Sequence, residues 1–302
     1  MRILREFTHP DEDYPYSTMQ SVTDIMADIG VDIPAVRRVG VGGQGLIAAD
    51  VLAALQTALP NVEWQDVENG LCDIRAQKST AEIEVIRYAY QIAEAGFQAG
   101  VDAIEVGVTE REVAAEIEAA MRRAGAEGTG IDTIVASGPN ARPILARSTF
   151  RSIEPDELVL LTVAPRYEGY HAAIGRPVLV GDPGQAIRHA LDVAIQVQQA
   201  CFHALHPDLE GREVEAIGRK IVAEGNLSSY FLYSGVHSVG VIEFEPPIFG
   251  PSSPAILKKD MVISIDIPLF NAPWGGLRIE DGYLITANGA EPLHKTPYEI
   301  QK

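Results

Sequence analysis

Between residues 79 and 286 one order of elements, helix, helix, strands, runs twice. Ser79, Thr80, Ala81 and Glu82 form a capping box, and Ile83, Ile86, Tyr90, Ala93 and Phe97 then recur at helical spacing. Thr109 and Glu112 open a second helix with Val113, Ile117 and Met121 on its apolar face, ending at Gly125. Strand-like runs follow at 131–137, 157–163 and 177–181. The order then restarts. A helix over 184–205 presents Ile187, Leu191, Ile195, Phe202 and Leu205, and another over 212–224 presents Val214, Ile217 and Ile221 before Gly225. Strands are expected at 230–236, 261–267 and 282–286.

Two such halves related by a pseudo-twofold predict an α+β fold. Their strands join in one curved, antiparallel-rich sheet, with helices on its outer face. Polar residues on the concave face then meet at the centre. Strands 157–163 and 261–267 are equivalents, which brings Thr162 near Asp266. The chain divides near residue 76, giving a small αβ domain over 1–76 and the main domain over 77–302. In the first, residues 37–43 read as a short buried strand, 47–60 as a helix stopped by Pro60, and 62–67 as another strand. The glycines of 40–45 read as a turn, because they meet neither the dinucleotide nor the P-loop spacing.

A net charge of -18 argues against a nucleic-acid partner, which needs clustered Lys and Arg. The N-terminal residues lack the apolar core of a signal peptide, and no run of about 18 apolar residues occurs, so no membrane span is expected and the cytoplasm is the default location. Cys72 and Cys201 are too few for a disulfide framework and read as small buried hydrophobes. His203 and His206 read as a solvated helix end rather than a metal pair.

Four stretches carry most of the chemistry: 158–181, with Thr162, Ala173 and Arg176; 235–247, with His237, Phe244 and Glu245; 260–268, with Asp266; and 275–286, with Arg278 and Glu280. Together they resemble the pita-bread family of methionine aminopeptidase, Xaa-Pro aminopeptidase, prolidase and creatinase, over about residues 77–295. The resemblance implies the same two-halved fold, with residues 1–76 as a truncated creatinase- or prolidase-type N-terminal domain. It also implies, in the metal-dependent members, two ions held by two aspartates eleven positions apart, a histidine and two glutamates. In this chain those positions are Thr162, Ala173, His237, Asp266 and Glu280. Threonine is a poor ligand and alanine none, so a dinuclear centre is not expected.

The resemblance also places family histidines at Leu145, beside Ile144, and at Phe244. The carboxylate that creatinase carries near the second aspartate is missing around Gly175. The leading expectation is a creatinase-like enzyme without a metal cofactor, hydrolysing a C–N bond in a small amino-acid-derived or peptide-like substrate. His237 would be its acid/base, with Asp266 and Glu280 orienting it. Tyr170, His171, Arg176, Phe244 and Trp274 are the expected substrate-binding residues, Arg176 through a substrate carboxylate. One alternative is an aminopeptidase- or dipeptidase-like hydrolase holding one divalent ion on His237, Asp266 and Glu280. Another is a non-catalytic binding protein, and a lyase or isomerase repurposed from the family fits the same residues. A homodimer is the expected assembly.

Overall fold

A computed structural model describes residues 2–4, 15 and 17–302; the remainder of the N-terminal segment read for a leader lies outside the described residues. The chain forms two compact units, Met1–Cys72 and Asp73–Lys302.

In the first unit, strands β1 (Arg2–Leu4) and β2 (Thr18–Gln20) pair in parallel, as do β3 (Arg38–Val41) and β4 (Glu63–Asp66). Helices α1 (Val22–Asp28) and α2 (Ala49–Ala58) accompany them. The strand expected to be buried at 37–43 is instead half-buried to exposed, because its sheet has only two strands. Gly43 adopts a positive φ of 67°, and its amide donates to the Glu68 carboxylate. An acid therefore closes the glycine turn where a phosphate loop would need open amides. Helix α3 (Glu68–Ala76), which the sequence reading did not anticipate, leads into the second unit.

The second unit repeats its pattern as expected. Helix α4 (Thr80–Ala103) is opened by the Ser79–Glu82 capping box and α5 (Glu110–Arg123) by Thr109–Glu112. After short strands β5 (Gly128–Thr129), β6 (Ile134–Ser137), β7 (Glu157–Val163), β8 (Pro165–Tyr167), β9 (Tyr170–His171) and β10 (Ile174–Val180), the helices return as α6 (Gln185–Ala204) and α7 (Gly211–Glu224). Strands β11 (Val236–Ser238), β12 (Glu245–Ile248), β13 (Val262–Ala272), β14 (Gly275–Thr286) and β15 (Gly289–Pro292) complete it. The main sheet runs β12-β11-β13-β14-β10-β7-β6, with β15 beside β14 and every pairing antiparallel. Strands β5, β8 and β9 form a small second sheet that the sequence did not announce.

Alternation along the strands sorts the side chains. Val159, Leu161, Ile174 and Val178 join one core with Ile86, Phe97 and Ile117 of α4 and α5. Ile263, Ile265, Ile267 and Ile279 join another with Leu191, Val197 and Val214 of α6 and α7. Each such buried side chain contributes roughly 1.5–3 kcal/mol by leaving water. The opposite face carries a cross-strand row: Thr162 faces Gly175, Gly175 faces Glu280, and Glu280 faces Asp266. Directly paired residues share a face, so the register alone gathers this row from both halves. Thr162 and Asp266 are thereby brought together as expected.

The strand expected at 230–236 shortens to Val236–Ser238, preceded by an isolated bridge from Phe231 to Leu269. Just before it stands Gly235, where an added Cβ would lie 1.9 Å from the Asp266 carbonyl oxygen. The backbone there rests directly on β13, a fit only glycine permits. Gly235→Ala is therefore expected to force the two segments apart, lowering stability by about 1–3 kcal/mol or more, read as a fall in the midpoint of denaturant unfolding.

Candidate active site

The concave face opens into a cavity of about 370 Å³. Its polar lining is Tyr233, His237, Glu243, Asp266, Arg278 and Glu280, and its apolar lining is Ile131, Ile144, Leu145 and Phe244. The three residues expected to be catalytic, His237, Asp266 and Glu280, converge here.

His237 sits on β11, 1 % exposed, opposite Ser264 of β13. Its Nδ1 lies 3.0 Å from the Ser238 carbonyl, an acceptor, so Nδ1 carries the proton and Nε2 presents a lone pair. That Nε2 is buried and has no hydrogen-bond partner; Glu280 Oε1 is 3.8 Å away, an ion-pair distance too long for a hydrogen bond. Glu280 itself accepts from Ser264 Oγ at 3.0 Å. Burial depresses the imidazole's pKa, but Glu280 and the charge of Glu243 outweigh it and hold His237 above its ordinary value.

Asp266 behaves differently from expectation. Its Oδ1 accepts from Arg278 Nε at 3.0 Å and its Oδ2 from the Tyr233 hydroxyl, while Arg278 Nη2 donates to Tyr233 at 2.7 Å. Arg278 Nη1 reaches Thr162 Oγ1 at 3.4 Å. The guanidinium thus bridges two of the five positions that hold ions in the resembling enzymes. Burial pushes Asp266 up to about 6 although Arg278 opposes it. The side chains placed to hold an ion together include Glu243, which the sequence reading did not single out, and not Asp266. His237, Glu243 and Glu280 offer ligand atoms within 4.8 Å of one another, and they form the metal-competent group found among the described residues. Burial, and then the neighbouring Glu280, push Glu243 up to about 7.

The charges add up simply. Three carboxylates meet one permanent cation, Arg278, so the fully ionised group would carry an excess of two negative charges, and an ion binding there would displace the proton that burial favours on Glu243. Two carboxylates with an uncommitted imidazole nitrogen form a donor set suited to such an ion. A second ion does not fit, because Thr162 and Ala173 supply no carboxylate and Arg278 already neutralises Asp266.

The other expected binding residues lie apart, Phe244 excepted. Its ring lies tilted by 33° against that of His237, with centroids 4.0 Å apart. Arg176 is 1 % exposed, and it is spent on Asp281, the carbonyls of Gly175, Glu280, Thr296 and Pro297, and the Tyr298 ring. It points to the helix-covered face and has no donor left for a substrate carboxylate. Tyr170 donates to Glu82 at 2.8 Å, and burial followed by that bond raises it to about 12. His171 is buried against the Gly240 carbonyl, 3.2 Å from Nδ1, and burial lowers its pKa. Trp274 packs edge-on against Tyr230 with ring centres 6.2 Å apart, and it does not line the cavity. Cys72 and Cys201 are buried thiols, as expected of small buried hydrophobes; His203 and His206 each hold a local backbone carbonyl.

Two supports fix the cavity wall. Buried Glu110, the first residue of α5, accepts from the Ser137 amide and hydroxyl, Asn140, and the Thr149 amide and hydroxyl at 2.7–2.9 Å. It therefore ties both ends of the 137–149 loop that presents Ile144 and Leu145. Glu245, two residues beyond Glu243, pairs with buried Lys78 at 3.2 Å and anchors the other lip. Alternating acids in the stretch Ile242–Glu243–Phe244–Glu245 were the available signal for Glu243, but nothing local distinguishes the acid that enters the site from the one that holds the lip.

Comparison with known proteins agrees with this geometry. Residues 84–287 match the profile of metallopeptidase family M24. The chain is 34% identical over 238 residues to an Xaa-Pro dipeptidase of Pyrococcus furiosus, covering 79% of this chain and 68% of the relative. A prolidase from Pyrococcus horikoshii superposes with a TM-score of 0.85 at 29% identity, over 93% of this chain and 80% of that one. An Xaa-Pro dipeptidase from Bacillus anthracis gives 0.85 at 26% identity, over 95% and 81%. With the sheet, the halves and the profile in agreement, the chain belongs to metallopeptidase family M24.

Proposed function

We propose that this protein hydrolyses short peptides or peptide-like amides with the help of one divalent metal ion held by His237, Glu243 and Glu280. The observation that carries the proposal is the convergence of a buried, unpartnered imidazole nitrogen with two buried carboxylates. Similarity to Xaa-Pro dipeptidases supports peptide hydrolysis and favours the metal-dependent alternative over the metal-free, creatinase-like reading. A divalent ion would supply Lewis-acid polarisation of the scissile carbonyl and a lowered pKa for water.

The chain's own groups do the rest. The Ser238 carbonyl accepts from Nδ1, so in the neutral ring Nε2 carries the lone pair that faces the site. Ser264 orients Glu280. Arg278, locked by Asp266 and Tyr233, holds a fixed positive charge in the cavity, suited to a developing oxyanion or a substrate carboxylate. The apolar wall keeps water from competing. A homodimer is the assembly we propose for it, and no described helix is long and apolar enough to cross a membrane.

Metal content by plasma mass spectrometry, after loading with Mn, Co, Zn or Fe salts and desalting, tests the reading. About one ion per chain is expected, with dipeptide hydrolysis that a chelator removes and the same ion restores. Sub-stoichiometric metal under every condition, or two ions per chain, would sink it.

A further inference from the structure

We infer that the cavity selects substrates bearing a bulky apolar side chain next to the reacting bond, through a collar formed by Ile131, Ile144, Leu145 and Phe244. The inference rests on the reading of this cavity as a substrate site and deepens it. Positions 145 and 244 lie 99 residues apart, on separate segments, and both replace histidines of the resembling enzymes with apolar side chains. In the structure they line one cavity. Both side chains contribute to one surface, completed by Ile131 and Ile144.

The collar is built on fixed supports. Glu110 pins the loop carrying Ile144 and Leu145, and Lys78 with Glu245 pins the lip carrying Phe244. Leu145 is 63% and Phe244 39% exposed, so both keep apolar surface at the cavity that a ligand could cover. A ligand side chain entering the collar would remove that surface from water. Below the collar lie Glu243, Asp266, Arg278 and Glu280, so a ligand would meet an apolar ring above a charged floor. That arrangement matches an amino acid derivative with a branched or aromatic side chain and a polar reacting end. A small or acidic side chain would leave the ring wet or place a charge against it.

Binding of four amino alcohols, measured by titration calorimetry on the full chain, tests this without a scissile bond: ethanolamine, alaninol, leucinol and phenylalaninol. All four share the amine and hydroxyl and differ only in the side chain. Leucinol and phenylalaninol are expected to bind at least about tenfold more tightly than ethanolamine, since one methylene in an apolar pocket discriminates by roughly 10–200-fold. Leu145→Asn and Phe244→Asn should each flatten the series; because both residues are well exposed, circular dichroism should show an unchanged fold. Equal binding of all four alcohols, or a preference that survives both substitutions, would overturn the inference. Apolar preference in binding without turnover of any dipeptide would support the collar and sink the hydrolytic reading.

Discussion

His237→Ala is expected to reduce dipeptide turnover by about 10²–10⁴-fold or more, the usual range for removing a positioned group that takes part in the reaction. Ion content should fall well below one per chain in the same variant. Few residues in the chain combine so many constraints. The ring is 1 % exposed, its Nδ1 is fixed by a backbone carbonyl, and its Nε2 has no partner. An unpaired buried polar atom costs roughly 1–3 kcal/mol. Loss of that nitrogen should therefore leave stability little changed or raise it slightly, offset by the cavity left beside Phe244. The measurement is turnover together with metal content and a melting curve. Unchanged turnover with an intact fold would remove His237 from the chemistry.

Arg278→Met makes the opposite prediction: a large loss of stability. Asp266, Glu280 and Glu243 are all buried beside this guanidinium, and the neighbouring Asp266 carboxylate holds Arg278 well above its usual pKa even though burial opposes it. Removing one partner of a buried ion pair leaves an uncompensated charge, at a cost of about 3–5 kcal/mol. The double variant Arg278→Met with Asp266→Asn removes both charges and should recover much of that loss. Denaturant unfolding of the wild type, both single variants and the double variant measures the coupling directly. If the double variant is no more stable than Arg278→Met alone, the pair is not what holds this region together.

Much of the fold was legible because it rests on periodicity. The capping boxes at Ser79 and Thr109 and the apolar spacing give the starts of four helices, and the ends of the last three, to within a residue or two. The repeated order then gave the sheet and the meeting of Thr162 with Asp266. Elements set by long-range packing were not legible. Of the run 230–236 only Val236 lies in a strand, and the close seat of Gly235 on the β13 backbone is a contact that no local pattern encodes. The small sheet of β5, β8 and β9 consists of strands two or three residues long, below the length at which alternation can be read.

The site shows the same division. His237, Asp266 and Glu280 reach one cavity because resemblance and register agree. Sequence shows which residues carry charge but not which charges are already neutralised. Arg176 is taken by Asp281 on the far side of the sheet, and Asp266 by Arg278 on the near side. Glu243 was missed because it lies on an irregular segment, where neither period nor spacing indicates which way a side chain turns.

The two halves contribute unequally to the cavity they enclose. Every ionisable group that lines it comes from the second half, while the first offers Ile131, Ile144 and Leu145 to the cavity and Thr162 and Ala173 at the former ligand positions. The architecture is shared, but the reactivity is one-sided. The first half serves as a mould wall, shaping what enters without touching the bond that breaks. Changes to its concave surface should therefore alter which molecules are accepted far more readily than what is done to them. Such a division lets one scaffold diversify its diet while leaving its chemistry alone.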